Sequence, residues 1–208
     1  KIVELKESIL PVTEPGLCWV AKDGLSLANF LNRSYANKPT KLTFDVETYY
    51  GLLTCISLCY DGNESCTVPL NDPNISIGEL AVMWKLVARV LADPAIEKCN
   101  QNIKYDWIIL NRHGFNVQNV TRDTMLKAGL LYPELPKGLD FLTSLYTDIP
   151  YYKDEGKEFN PKIHSRDRLY LYCAKDSLAA SQIDTKQDEE LKDAKLYELF
   201  YNEVSPSI

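Results

Sequence analysis

Asp45 and Glu47, one residue apart in "TFDVET", are the pair whose spacing most directly implies chemistry. Alternate side chains of a β-strand share a face, so the two carboxylates point one way while Phe44 and Val46 point the other. Neighbouring like charges are costly unless a cation is shared between them or one carboxylate takes up a proton. With 29 acidic residues in the chain, D-x-E triplets are expected by chance, and companions must carry the argument. Two predicted helices supply them: Asn102 and Asp106 in "NQNIKYDWIIL", and Tyr172 and Asp176 in "LYLYCAKDSLAA". A spacing of four places both members of each pair on one helical face. If strand and helices converge, Asp45, Glu47, Asp106 and Asp176 form an oxygen-rich cluster suited to hard divalent cations. Two such ions roughly 3.5–4 Å apart are a common device for stabilising the attacking and leaving oxygens of a phosphoryl displacement. The chain has two histidines and no Cys/His ligand spacing, so Mg²⁺ or Mn²⁺ fits better than zinc.

The elements that must position these residues follow from pattern. A short strand is predicted near "CWVA" and a helix from Leu25 to Arg33, ended by "ANKPT". "KLTFDVET", "LLTCISLCYDG" and "ESCTVPL" are rich in β-branched and apolar residues, with a turn at Asp61 to Asn63, and read as a three-stranded antiparallel meander. Ile77, Leu80, Trp84, Val87 and Leu91 recur at a helical period behind Ser76, a plausible N-cap. "AIEKCN" reads as a strand, followed by a helix from Ile103 to His113 that stops at Gly114. Shorter helices fit Asp123 to Leu131 and Gly138 to Tyr146. Ile149 to Ser165, with two prolines and no period, reads as a long loop. A helix from Arg166 to Asp188 follows, and "KQDEELKDAKLYELFYNEV" suggests another. The class is α/β: a mixed sheet with an antiparallel meander, flanked by helices.

At 208 residues and 45% hydrophobic, the chain suffices for one packed domain. No apolar run approaches the roughly 18 residues of a membrane span, and no basic-then-apolar leader opens the chain, so it reads as soluble with no membrane partner. A start at lysine rather than methionine suggests a trimmed chain or a piece of a longer polypeptide. Cys18, Cys55, Cys59, Cys66, Cys99 and Cys173 include no C-x-x-C pair and lie mostly in apolar surroundings, which predicts buried free thiols in an intracellular, reducing compartment. The sequons at Asn32, Asn63, Asn74 and Asn119 carry little weight beside this. The net charge of −6 is the wrong sign for a protein that holds nucleic acid by a broad basic surface.

The order of the motifs, D-x-E, then N-x-x-x-D, then Y-x-x-x-D, resembles the three exonuclease motifs of the DEDD (DnaQ-like) superfamily in its tyrosine subgroup, from about Cys18 to Asp184. "FDVET", "NQNIKYD" and "RDTML" are similar to the 3′–5′ proofreading domain of family A, polymerase-I-like, DNA polymerases. "KLYELFYNEVSPSI" resembles the segment that leads into their polymerase domain. The resemblance implies a ribonuclease-H-like exonuclease domain over residues 1–192, with residues 193–208 leading to a polymerase domain in the same polypeptide. It also implies hydrolysis of single-stranded or frayed 3′ DNA ends with two divalent cations. Asp45, Glu47 and Asp176 would hold the first cation, and Asp45 and Asp106 the second, Asp106 through water. Tyr172 would position the attacking water with Glu47, because a phenol of pKa near 10 is a poor base at neutral pH. The histidine variant needs H-x-x-x-x-D, and His164 lies twelve residues before Asp176.

Around this centre the resemblance suggests substrate contacts by Thr48, Leu52, Asn102 and Lys104. The family's apolar wedge falls on Gly51, which leaves Leu52 or Tyr50 as substitutes. Asn102 divides between substrate contact and helix capping. Tyr151, Tyr152 and Phe159 could stack on bases or merely pack, Tyr170 is expected in the core, and His113 at a helix C-terminus, where a positive charge suits the dipole. A tethered DNA end compensates for the acidic surface, and fraying is least costly at a mismatch. An exoribonuclease of the ribonuclease D kind shares the motifs. A catalytically silent module that braces a polymerase is the rival from another class, against which the intact carboxylates speak.

Overall fold

A computed structural model describes residues 17–154 and 165–208. Six strands form one sheet: β1 (Leu17–Val20), β2 (Lys41–Tyr49), β3 (Leu52–Cys59), β4 (Glu64–Pro69), β5 (Glu97–Asn100) and β6 (Val120–Asp123), in the order β1-β4-β3-β2-β5-β6. β2, β3 and β4 are the expected antiparallel meander. β1 joins it parallel to β4, while β5 runs parallel to β2 and β6 parallel to β5. The β2–β3 hairpin closes at Tyr50 and Gly51, both at positive φ (50° and 77°), the combination a tight two-residue turn requires.

One face of the sheet packs Leu42, Phe44, Val46, Ile56, Leu58 and Val68 with α1 (Gly24–Ala36), α2 (Ile77–Leu91) and α3 (Ile103–Arg112). The other face carries the 28-residue helix α6 (Arg166–Asp193), beside α4 (Thr124–Leu131) and α5 (Leu139–Tyr146). This second face is lined with hydroxyls rather than large apolar groups. Ser57 Oγ donates to the Cys173 carbonyl at 2.8 Å, Thr67 Oγ1 to the Tyr170 carbonyl at 2.7 Å, and Ser65 and Ser177 share a 2.7 Å bond. Small side chains let α6 lie close to the strands, and these three hydroxyl contacts bridge the two layers, while Thr43 Oγ1 and Ser181 Oγ are buried there without a partner among the described residues. That close seating brings the α6 residues against the same face as Asp45 and Glu47.

Two expectations need correction. α6 does not stop at Asp188 but runs to Asp193, because its inward side continues with buried Gln187 and Leu191. The chain then reverses at Lys195, at φ 59°, and the further helix expected here starts only at Tyr197, as a helical segment that passes from Tyr197–Leu199 through a wider-wound Phe200–Val204 to a tighter Ser205–Ser207. In α2, Ile77 is 85% exposed; the inward stripe begins later, with Met83, Val87, Val90 and Leu91 buried. Ser76 caps α2 as expected, accepting the Glu79 N–H at 3.2 Å. Tyr170 is buried and donates its hydroxyl to Asp72 at 2.8 Å. All six cysteines are free, five of them buried. No described helix is long and apolar enough to cross a membrane. Phe159 and His164 lie outside the described residues, as does most of the long loop.

Candidate active site

Phe44 and Val46 are drawn into the α1–α2–α3 core, so the alternation of β2 turns Asp45 and Glu47 toward α6. Carboxylate oxygens of Asp45, Glu47 and Asp176 lie within 4.8 Å of one another. Just beyond Glu47 the β2–β3 register shifts, the kind of irregularity that re-aims a side chain. Asp106 reaches the group from α3 through a residue the motifs did not mark. Asn100, at the end of β5, donates Nδ2 to Asp106 Oδ2 at 2.7 Å and approaches Asp45 Oδ1 at 3.4 Å. Tyr172 stands one turn before Asp176 on α6. Lys153 closes the site: its Nζ donates to Asp176 Oδ1 at 2.6 Å and to the Tyr172 hydroxyl at 3.3 Å.

Crowding and burial make this cluster reluctant to ionise. Burial first, then the Asp176 charge, pushes Asp45 up to about 7, while Lys153 and the Asn100 amide pull the other way. Burial, with Asp45 and Asp176 behind it, pushes Glu47 up to about 9. Asp106 is raised well above the ordinary carboxylate range, and in Asp176 burial outweighs even the adjacent ammonium. The Tyr172 phenol is raised by burial and by the three nearby carboxylates, so it remains an O–H donor.

The donor set fits a hard divalent cation. Its oxygens are gathered, charged when ionised and only partly compensated by one lysine. The nearest thiol, Cys173, is buried with its pKa raised well above the ordinary value, and points its Sγ to Asp45 as a weak donor at 3.7 Å. It competes for no soft metal.

The family model described as 3′–5′ exonuclease matches residues 25–192. This chain belongs to the 3′–5′ exonuclease family. It is a nuclease of the DnaQ-like superfamily, whose family is metal-dependent and binds nucleic acid. Solved structures share the exonuclease's ribonuclease-H-like fold. Escherichia coli RNase D, an exoribonuclease involved in structured RNA processing, superposes with a TM-score of 0.66 at 19% identity, over 89% of this chain and 48% of that one. The POL domain of Pol1 from M. smegmatis, in complex with DNA primer-template and dNTP, gives 0.63 at 18% identity, over 88% of this chain and 29% of that one. Brucella melitensis NrnC with bound Mg²⁺ gives 0.62 at 14% identity, over 90% and 86%. At these identities the likeness is one of fold, and the exonuclease spans under a third of the Pol1 chain and about half of RNase D. No curated protein sequence matches it.

The remaining expected residues of the exonuclease lie at or near its surface. Thr48 is half-buried on β2, Leu52 is 59% exposed at the start of β3, and Tyr50 at the hairpin tip is 88% exposed. Asn102 and Lys104 are exposed at the start of α3, beside Asp106. Asn102 occupies the N-cap position in a left-handed conformation and its side chain makes no cap bond, so the capping alternative fails. Asp123 does that work, accepting the backbone N–H groups of Asn102 and Ile103 at 3.1 and 3.0 Å. Tyr152 is buried against α5 and α6, a packing residue, whereas Tyr151 is exposed. His113 caps the C-terminus of α3 as expected and also ties it to the sheet: Nε2 accepts the Leu53 N–H at 3.3 Å and Nδ1 faces the Ile109 carbonyl at 2.8 Å. Asn100 and Asp123 lie inside "NQNIKYD" and "RDTML" without having been singled out, and Lys153 falls outside every motif. A strand-terminal Asn just before the second motif is a faint signal for the first; Lys153, in an aperiodic stretch, left none.

Proposed function

We propose that this exonuclease removes nucleotides from single-stranded or frayed 3′ DNA ends, as the proofreading domain of a family A DNA polymerase of the tyrosine subgroup. Asp45, Glu47, Asp106 and Asp176 hold two Mg²⁺ (or Mn²⁺) ions. The convergence of the Asp45, Glu47 and Asp176 oxygens, with Asp106 tied in through Asn100, is the observation that supports this reading. When bound, such ions lower the pKa of a water and offset charge on the leaving 3′-oxygen. Asp45, near the Glu47 and Asp176 oxygens and also approached by the Asn100 amide that holds Asp106, would serve both cations. Asn100 holds the Asp106 carboxylate in place. Tyr172, kept protonated, orients the attacking water with Glu47. Thr48, Leu52, Asn102 and Lys104 contact the terminal nucleotides. Residues 1–192 form the exonuclease domain, 193–208 lead into a polymerase domain of the same polypeptide, and the protein works in an intracellular, reducing compartment.

DNA is favoured by the motif similarity to polymerase-I-like domains and by the likeness to Pol1. RNA is the second reading, favoured by the comparable likeness to RNase D. Matched 5′-labelled DNA and RNA oligonucleotides, incubated with Mg²⁺ or Mn²⁺, separate them. The expected result is stepwise 3′ shortening, faster on DNA; faster cleavage of RNA overturns the choice. D45A and D176A nearly abolish shortening and Y172F slows it less, whereas wild-type rates in all three refute the site.

A further inference from the structure

Lys153 follows α5 in an irregular stretch outside all three motifs, yet it is buried. Besides its bonds to Asp176 and Tyr172, its Nζ lies 5.2 Å from the Tyr152 ring centroid and 5.1 Å from that of Tyr172, within cation–π range. Holding a long flexible side chain in one place costs rotamer entropy, and burying its charge costs solvation. Two hydrogen bonds and two aromatic rings offset both. The chemistry of the partners then sets a direction. An ammonium only donates, so the Tyr172 oxygen must be the acceptor of their bond. The phenol's single hydrogen therefore points away from Lys153, on the side where the Asp176 carboxylate can also accept it.

We propose that Lys153 is a positioning residue of the exonuclease reaction, acting through Tyr172. By donating to the phenol oxygen it turns the Tyr172 O–H toward the attacking water, and its bond to Asp176 keeps the two α6 residues in fixed relation. Lys153 touches no reacting atom and transfers no proton. The inference rests on the assignment of Tyr172 as the water-orienting group.

A double-mutant cycle tests it, with kcat and KM measured for wild type, K153M, Y172F and the double variant on a single-stranded DNA oligonucleotide with saturating Mn²⁺. K153M lowers kcat about tenfold with KM changed less than about twofold, the pattern of an interaction realised only in the transition state. In the Y172F background the same substitution lowers kcat less than about twofold, since residues acting as a unit are non-additive. K153R, which keeps a cationic donor, recovers most of the lost rate. Mn²⁺ affinity, followed by electron paramagnetic resonance, weakens in K153M by no more than the roughly 10–100-fold expected when a ligand's hydrogen-bond partner, and not a ligand, is lost. Undiminished kcat in K153M, a full effect in the Y172F background, or loss of Mn²⁺ binding overturns the proposal. Wild-type rates in Y172F remove the assignment beneath it, whereas a slow Y172F with an additive K153M refutes the role of Lys153 alone. If K153M melts below the assay temperature, K153Q is carried through the same cycle with the same criteria.

Discussion

Asp45 and Glu47 sit together because β2 alternates and its other face is claimed by Phe44 and Val46, and that enforced proximity has a thermodynamic signature. Their folded-state pKa values, about 7 and about 9, lie above the ordinary values near 4. Folded protein without metal therefore binds more protons than unfolded chain across that interval. The stabilising contribution is fully present below about pH 4 and is lost as pH rises through 7 and then 9. A cation that binds only the ionised, folded cluster acts oppositely. In EDTA the melting temperature should fall between pH 5.5 and 8.5, and the rise produced by Mg²⁺ should widen over the same interval. A hundredfold excess over the dissociation constant corresponds to about 2.7 kcal/mol. A metal-induced shift equal at both pH values would contradict the carboxylate cluster as the binding site. The acids and Tyr172 were legible as residues because period and spacing mark them. Asn100 and Lys153 were not, since one amide and one lysine in a chain with 23 basic residues acquire meaning only from what stands beside them.

At the scale of elements, Asp123 does the work of two caps. Besides the Asn102 and Ile103 N–H groups at the start of α3, it accepts those of Met125 and Leu126 at 2.8 and 3.3 Å at the start of α4. D123A removes the acceptor for both helices, and at roughly 0.5–2 kcal/mol per cap should destabilise the protein by about 1–4 kcal/mol in urea unfolding. D123N, which keeps one acceptor oxygen, should lose clearly less. A change within error for D123A would show that other groups satisfy those helix ends. Because α3 carries Asp106, exonuclease activity should fall with D123A as well. The helices themselves were read nearly to their ends. The missed extension of α6 has a plain cause: beyond Asp188 the run is almost wholly charged, and Leu191 alone turns inward there, too little for hydrophobic periodicity to carry the helix on to Asp193.

Across the whole molecule, the far end of α6 is fastened by a buried ion network. Asp184 accepts from Lys41 at 2.8 Å, Arg122 at 3.0 Å and Lys127 at 2.6 Å, while Asp188 joins Arg122, Lys127 and the Tyr201 hydroxyl. These groups come from β2, β6, α4, α6 and the C-terminal turns, so one cluster ties the sheet to the helix that carries Tyr172 and Asp176. The three cations hold the Asp184 carboxyl far below the usual range in spite of its burial. Its contribution is present above about pH 4 and declines as acid protonates it, the reverse of the sign at the active site. K127M should cost about 3–5 kcal/mol at pH 7, the usual penalty for breaking a buried pair from one side. Wild type should lose more stability than K127M as pH drops below about 4; parallel losses would show that the network does not control acid sensitivity. None of this network was visible in the linear chain, where its members are scattered from residue 41 to residue 201. What the chain determines by itself is local: which faces alternate, where helices begin, and which acids pair with which neighbours, because periodicity and capping act over a few residues. Tertiary structure alone decided that Lys153 sits on Asp176, that Asn100 joins Asp106 to Asp45, and that Asp123 serves two helices, because hydrogen bonds and ion pairs depend on distance in space, which local pattern does not encode.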